Sequence, residues 1–163
     1  MTLGQKGLVL AALQLLVVGS LGAKLLADRA TLPRVWVRTA PVDPNLPIRG
    51  RYVRIRIEVE GSRDLLGHRV SLRAQDGRLV AAPATGSTFG PWLTLQPGRT
   101  SRPGVLELNQ PLAFFIPEHA VDPSRRAPGE ELWVEVSVPA HGAPRPIRLG
   151  VKKDGTLTPL SLN

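Results

Sequence analysis

An unbroken apolar run stands near the start of the chain. Gly7 to Ala23 reads GLVLAALQLLVVGSLGA, carries no charge, and has only Gln14 and Ser20 as polar side chains. Apolar residues lie all round the helical projection of Leu8 to Val18, so no polar face is left for water, and the core helix of a soluble domain does not fit. At about 1.5 Å per residue the run covers about 26 Å. Snorkelling of the Lys24 amine adds Leu25, Leu26 and Ala27 and extends it to about 31 Å, the thickness of a hydrocarbon layer. Residues 7–27 are therefore expected to cross a lipid bilayer as one helix, with 1–29 as tail and anchor and 30–163 as a separate domain.

A cleaved signal peptide is the rival reading, and it requires small residues at the last and third-last positions before the cut. Ser20-Leu21-Gly22 meets that pattern, a cut after Ala23 places Leu21 third-last, and apolar character continues past either site, so the anchor is the reading adopted. Gly19 and Ala23 form a small-xxx-small pair and Gln14 offers an amide, which would let another helix approach; an isolated helix tolerates the same residues. Only Lys6 and the terminal amine precede the span, whereas Lys24, Arg29, Arg34 and Arg38 follow it. By the positive-inside rule that distribution places the domain in the cytoplasm.

Beyond the anchor, glycines and prolines, sixteen of each in the chain, break the sequence into short alternating runs. Such spacing predicts β-structure. Arg34 to Arg38 sets Val35 and Val37 on one face and Trp36 on the other, and Pro41, Pro44 and Pro47 then make a stiff connector ending at Gly50. From Arg51 to Val59 the alternation is unbroken, with Val53, Ile55, Ile57 and Val59 on one side and Tyr52, Arg54, Arg56 and Glu58 on the other. Further runs follow at 69–72, 78–81, 92–95, 105–108, 112–116, 131–138, 146–151 and 156–162, and Asp76-Gly77 and Asp154-Gly155 suit tight hairpins. The expected fold is all-β, a small antiparallel sandwich or barrel-like domain behind one transmembrane helix, with room for one helical turn in 118–131. The two longest alternating segments, 51–59 and 131–138, are expected to pair, setting Arg54 or Arg56 against Glu135 or Glu131 and over Trp133. The alternative makes the arginine face a docking surface.

Basic residues outnumber acidic ones by 21 to 13, a balance that favours anionic partners. The arginines are dispersed, however, no Lys/Arg run of five appears, and aromatic residues for base stacking are few, so nucleic acid is not the expected partner. Cysteine is absent, which excludes a disulfide framework, a thiolate metal site and a catalytic thiol.

No catalytic, cofactor-binding or metal-ligating residue is assigned. His68, His119 and His141 are scattered; Glu118, His119 and Asp122 fall close enough to hold a cation, but prolines bracket them and a solvated loop is the simpler expectation. Gly86 to Gly90, GSTFG, has Thr88 where a serine elbow needs its nucleophile. Lys152 and Lys153 read as a solvated hairpin tip, and Glu58 with Glu60 and Glu130 with Glu131 as surface carboxylates. A membrane-anchored hydrolase or metal-dependent enzyme, and a cytoplasm-facing domain on anionic lipid, stand as alternatives to a non-enzymatic interaction domain.

Four phrases carry a family resemblance: LQLLVV (Leu13 to Val18), TAPVDP (Thr39 to Pro44), RGRYVRIRI (Arg49 to Ile57) and FFIPE (Phe114 to Glu118). In order and spacing the chain resembles the GDYXXLXY proteins, on Thr39, Pro41, Asp43, Pro44, Arg49, Gly50, Tyr52, Val53, Ile55, Phe115, Pro117 and Glu118. Inside the signature Gly50 and Tyr52 are kept, while Arg51, Ile55 and Ile57 replace the family's aspartate, leucine and final tyrosine. The resemblance implies a single-pass bacterial inner-membrane protein with an extracytoplasmic β-rich domain and a multi-pass membrane protein as partner. It implies no reaction, and it opposes the local charge count on orientation.

Overall fold

A computed structural model describes residues 3–40, 52–85, 92–100, 102–120, 122–123 and 126–162. The chain divides into two units, Met1–Leu32 and Pro33–Asn163.

The first unit is a single helix, α1 (Leu3–Thr31). Its 29 residues extend about 44 Å at the helical rise. It is long and apolar enough to span a membrane, and none of its apolar window is buried in protein. Ser20 Oγ donates to the Val17 carbonyl and Thr31 Oγ1 to that of Ala27, each at 2.8 Å. Both hydroxyls are thus satisfied by their own helix, which lowers their cost in hydrocarbon. The helix runs two residues past the expected boundary at 29 and stops before Pro33, whose ring can donate no helical hydrogen bond.

The second unit contains ten strands among the described residues: β1 (Arg34–Ala40), β2 (Tyr52–Glu60), β3 (Arg69–Gln75), β4 (Arg78–Pro83), β5 (Leu93–Pro97), β6 (Val105–Leu108), β7 (Leu112–Phe115), β8 (Glu131–Ser137), β9 (Arg145–Lys153) and β10 (Thr156–Pro159). Each coincides with an alternating run of the sequence. The β3–β4 and β9–β10 hairpins turn at Asp76-Gly77 (φ 49° and 73°) and Asp154-Gly155 (φ 48° and 82°). Both central residues lie in the left-handed region that a two-residue hairpin needs. The segment 118–131 shows turns and no helix among its described residues. One short element has no counterpart in the period analysis, a 3-10 turn at Arg63–Leu65 whose cap, Ser62 Oγ, accepts from the Asp64 N–H at 3.4 Å.

Strand order is β10-β9-β8-β1-β2-β4-β3-β5-β6, with β6 and β7 also pairing β2. The run from β2 through β4, β3, β5 and β6 therefore closes on itself, making one half of the domain barrel-like and the other an open sheet of β1, β8, β9 and β10. Every pairing between named strands is antiparallel except β2 with β4, which meet in parallel at Glu60 and Val80. One apolar cluster fills both halves, built on Val35 and Val37 of β1, Ile55, Ile57 and Val59 of β2, Leu106 and Leu108 of β6, Val134 and Val136 of β8 and Leu149 of β9. Each such side chain contributes about 1.5–3 kcal/mol on burial, and their alternation is what sets the register.

The expected pairing of 51–59 with 131–138 is not formed. β1 lies between them, with Val35 opposite Val136 and Val37 opposite Val134 on one side, and Thr39 opposite Ile57 on the other. β1 is the better neighbour for β8 because its two valines complete the apolar layer while Trp36 and Arg38 share the second face with Glu135 and Trp133. Arg54 instead faces Ala113 of β7, exposed, and Arg56 faces Ala40.

Candidate functional site

The face of the sheet turned away from the apolar cluster carries a continuous band of charged and aromatic side chains across β2, β1, β8 and β9. On β8, Glu131, Trp133 and Glu135 follow one another at the strand period, and β9 sets Lys152, Gly150 and Arg148 opposite them. Arg148 Nε donates to Glu135 Oε2 at 2.7 Å. Arg38 Nη2 meets Glu131 Oε1 at 2.9 Å, and Glu131 Oε2 accepts from Trp133 Nε1 at 3.1 Å. Lys152 places its ammonium 4.6 Å from the Trp133 ring centroid, and Arg148 lies 5.4 Å from that of Trp36. Lys152 is thus half-buried on an indole, not solvated at the hairpin tip as expected, because the turn begins only at Asp154.

Gly150 makes room for this arrangement. A Cβ on it would lie 2.9 Å from Trp36 Cζ3 and 3.1 Å from the Thr158 carbonyl oxygen, so the indole reaches over β8 only because β9 has no side chain there.

Glu58 continues the band and is 8% exposed; its neighbour across the β2–β6 ladder, Glu107, is fully buried. The expectation of a surface carboxylate at Glu58 fails because the β5–β6 loop folds over it. The loop backbone N–H of Arg99 donates to Glu107 Oε1 at 2.7 Å, Gln96 Nε2 donates to Oε2 at 3.2 Å, and Thr100 Oγ1 donates to Glu58 Oε1 at 2.9 Å. Charge-assisted bonds of this kind hold ionised carboxylates away from water. Arg102 closes the loop, with Nη1 3.9 Å from Glu58 Oε2 and Nη2 3.7 Å from Glu131 Oε1. Between this loop, the β3–β4 hairpin and the band lies a cleft of about 630 Å³ with Trp36, Arg38, Glu58, Arg78 and Trp133 in its walls. A second, of about 320 Å³, shares Arg102, Trp133 and Lys152 with it.

The residues singled out by resemblance collect elsewhere. Tyr52 stands opposite Phe115 and Val53 opposite Phe114 in the β2–β7 ladder, so two phrases sixty residues apart become one pair of strands. Val53 and Ile55 belong to the core. The Tyr52 and Phe115 rings lie 6.0 Å apart, tilted by 54°, and Phe115 is 78% exposed. Thr39 Oγ1 donates to the Leu132 carbonyl at 2.8 Å, tying β1 to β8 one residue beyond their last paired position. Pro117 accepts from the Ala120 N–H at 3.1 Å, and Glu118 is exposed beside it. Pro41, Asp43, Pro44, Arg49 and Gly50 lie outside the described residues, as do Arg51, the proline connector and Gly86 to Gly90.

Among the described residues no three His, Asp or Glu side chains converge as a metal site, Glu118, His119 and Asp122 included. The acidic pair Glu58 and Glu107 and the loop over it were not legible in the alternation, because both glutamates fall on the polar side of their runs, where a charge is ordinary. In comparison with known proteins, no family model, no curated protein and no solved structure matches the chain.

Proposed function

We propose that this chain is a single-pass bacterial inner-membrane protein whose β-domain lies on the extracytoplasmic side and binds an integral-membrane partner without catalysing a reaction. The observation that carries this reading is the Tyr52–Phe115 pair: an exposed phenylalanine, held in place by a cross-strand tyrosine, is a large apolar contact with no task in the core. It stands where the two motif phrases of the family resemblance meet. The apolar helix α1 supplies the tether. The charged band supports a binding role over an enzymatic one, since its buried carboxylates are committed to guanidinium, hydroxyl and backbone N–H groups.

A photo-crosslinking amino acid replacing Phe115 in the full-length protein, with Arg73 as control position, tests the docking edge in intact bacterial membranes. A discrete adduct that resists alkaline extraction and forms from position 115 alone is expected; adducts with lipid alone, or equal adducts from both positions, would defeat the reading. Orientation is tested by protease added outside spheroplasts. Cleavage of the domain is expected, and protection would favour the cytoplasmic side that Lys24, Arg29, Arg34 and Arg38 recommend.

A further inference from the structure

Two ion-pair contacts in the larger cleft are too long to be hydrogen bonds. Arg102 Nη1 lies 3.9 Å from Glu58 Oε2, and Arg38 Nη1 lies 3.9 Å from Glu58 Oε1. Direct N–H···O bonds end near about 3.2 Å, and separations beyond about 3.5 Å suit a shared bridging oxygen. Such an oxygen must accept from a guanidinium and donate to a carboxylate. A carboxylate or a fully ionised phosphate ester cannot donate and an ammonium cannot accept, which leaves a hydroxyl, or water. Acidic and basic side chains alternate along these walls, so neither sign of ligand charge is favoured as a whole. Trp36 and Trp133 supply an apolar wall in the same cleft, whose volume of about 630 Å³ lies in the range of small-molecule sites.

We propose that this cleft binds a neutral glycan, with pyranose hydroxyls bridging Arg102 and Arg38 to Glu58 and the sugar's C–H face against the indoles of Trp36 and Trp133. The ligand class follows from the pairing of donor–acceptor gates with an aromatic wall, since a pyranose presents vicinal hydroxyls at its rim and an apolar face. The fixed partners hold the site in shape before a ligand arrives: Glu131, behind it, holds Arg38 and the Trp133 N–H, and Thr100 holds Glu58. Such pre-organisation limits the ordering cost of binding. The inference stands apart from the docking edge at Phe115 and does not need it.

The test uses the full chain, ¹⁵N-labelled at its tryptophan indoles, in micelles of a detergent without a sugar headgroup. The neutral probes are tetra-N-acetylchitotetraose and maltotetraose, with tetragalacturonate and the deacetylated chitosan tetramer as acidic and basic counterparts. Of the three tryptophans, Trp36 and Trp133 should shift saturably with at least one neutral probe. Trp92, whose ring packs under Arg69 at 3.5 Å, should not move. Arg102→Ala should weaken binding by about five-fold or more while the protein stays folded, shown by a Trp92 indole signal at its parent position; Arg73→Ala should bind as the parent does. The proposal is overturned if neither neutral probe gives a saturable shift up to about 20 mM, if only a charged tetramer binds, if Trp92 moves in step with the other two, or if Arg102→Ala binds as tightly as the parent.

Discussion

Glu58 and Glu107 stand directly opposite one another in the β2–β6 ladder, two carboxylates side by side and both shut away from solvent. Like charges in that position repel, and the β5–β6 loop offsets the repulsion with separate donors for each. Removing one acceptor leaves donors stranded under the loop. Glu107→Ala, which orphans the Arg99 N–H and the Gln96 amide, should cost about 2–3 kcal/mol and Thr100→Val about 1 kcal/mol, read by urea denaturation. A Glu107→Ala protein as stable as the parent would show that the loop is not held by this carboxylate.

Charge reversal separates the observed strand order from the one expected at first. Arg38→Glu should destabilise the domain by about 2 kcal/mol, because it sets like charge against Glu131 and Glu58. Adding Glu131→Arg should restore part of the loss, with Glu58 still beside the reversed position. Arg54→Glu, exposed and facing Ala113, should stay within about 0.5 kcal/mol of the parent. Rescue of Arg54→Glu by Glu131→Arg, instead of rescue of Arg38→Glu, would contradict β1 as the strand between β2 and β8.

Gly150 is the tightest packing constraint on the band. Gly150→Ala should cost about 1–3 kcal/mol through overpacking, and near-ultraviolet circular dichroism should report a displaced Trp36. Trp36→Leu introduced with it should recover only part of the loss, since the Thr158 carbonyl is 3.1 Å from the new methyl group. Additive costs in the two variants would mean that the indole and the glycine do not share the space.

Phe115 separates stability from binding. At 78% exposure, Phe115→Ala should change stability by no more than about 0.5–1 kcal/mol, the worth of its ring contact with Tyr52, while the photo-adduct formed from a probe at the neighbouring Ala113 should fall sharply. A large loss of stability with an unchanged adduct would assign the ring to packing.

The anchor is testable without the domain's fold. Full-length protein should stay with membranes through alkaline extraction, while a fragment beginning at Pro33, where the second unit starts, should be recovered in the soluble fraction. N-terminal sequencing of the mature protein that began at Ala23 or Lys24 would make α1 a cleaved signal instead.

Local properties of the chain were enough for the helix, the ten strands and both tight hairpins. Apolar length marks α1, a period of two marks Arg34 to Arg38 and Arg51 to Val59, and Asp76-Gly77 and Asp154-Gly155 allow the positive φ that their turns require; each depends only on neighbours within a few residues. Partner choice does not. That β1 separates β2 from β8, that Tyr52 meets Phe115, and that Glu58 is buried beside Glu107 under a loop forty residues further on were decided by tertiary structure. Alternation tells which face of a strand is apolar but not which strand completes the layer, and many alternating runs here are equally apolar. Burial of a carboxylate follows from donors brought over it by distant backbone, and no pattern around Glu58 itself encodes where those donors come from.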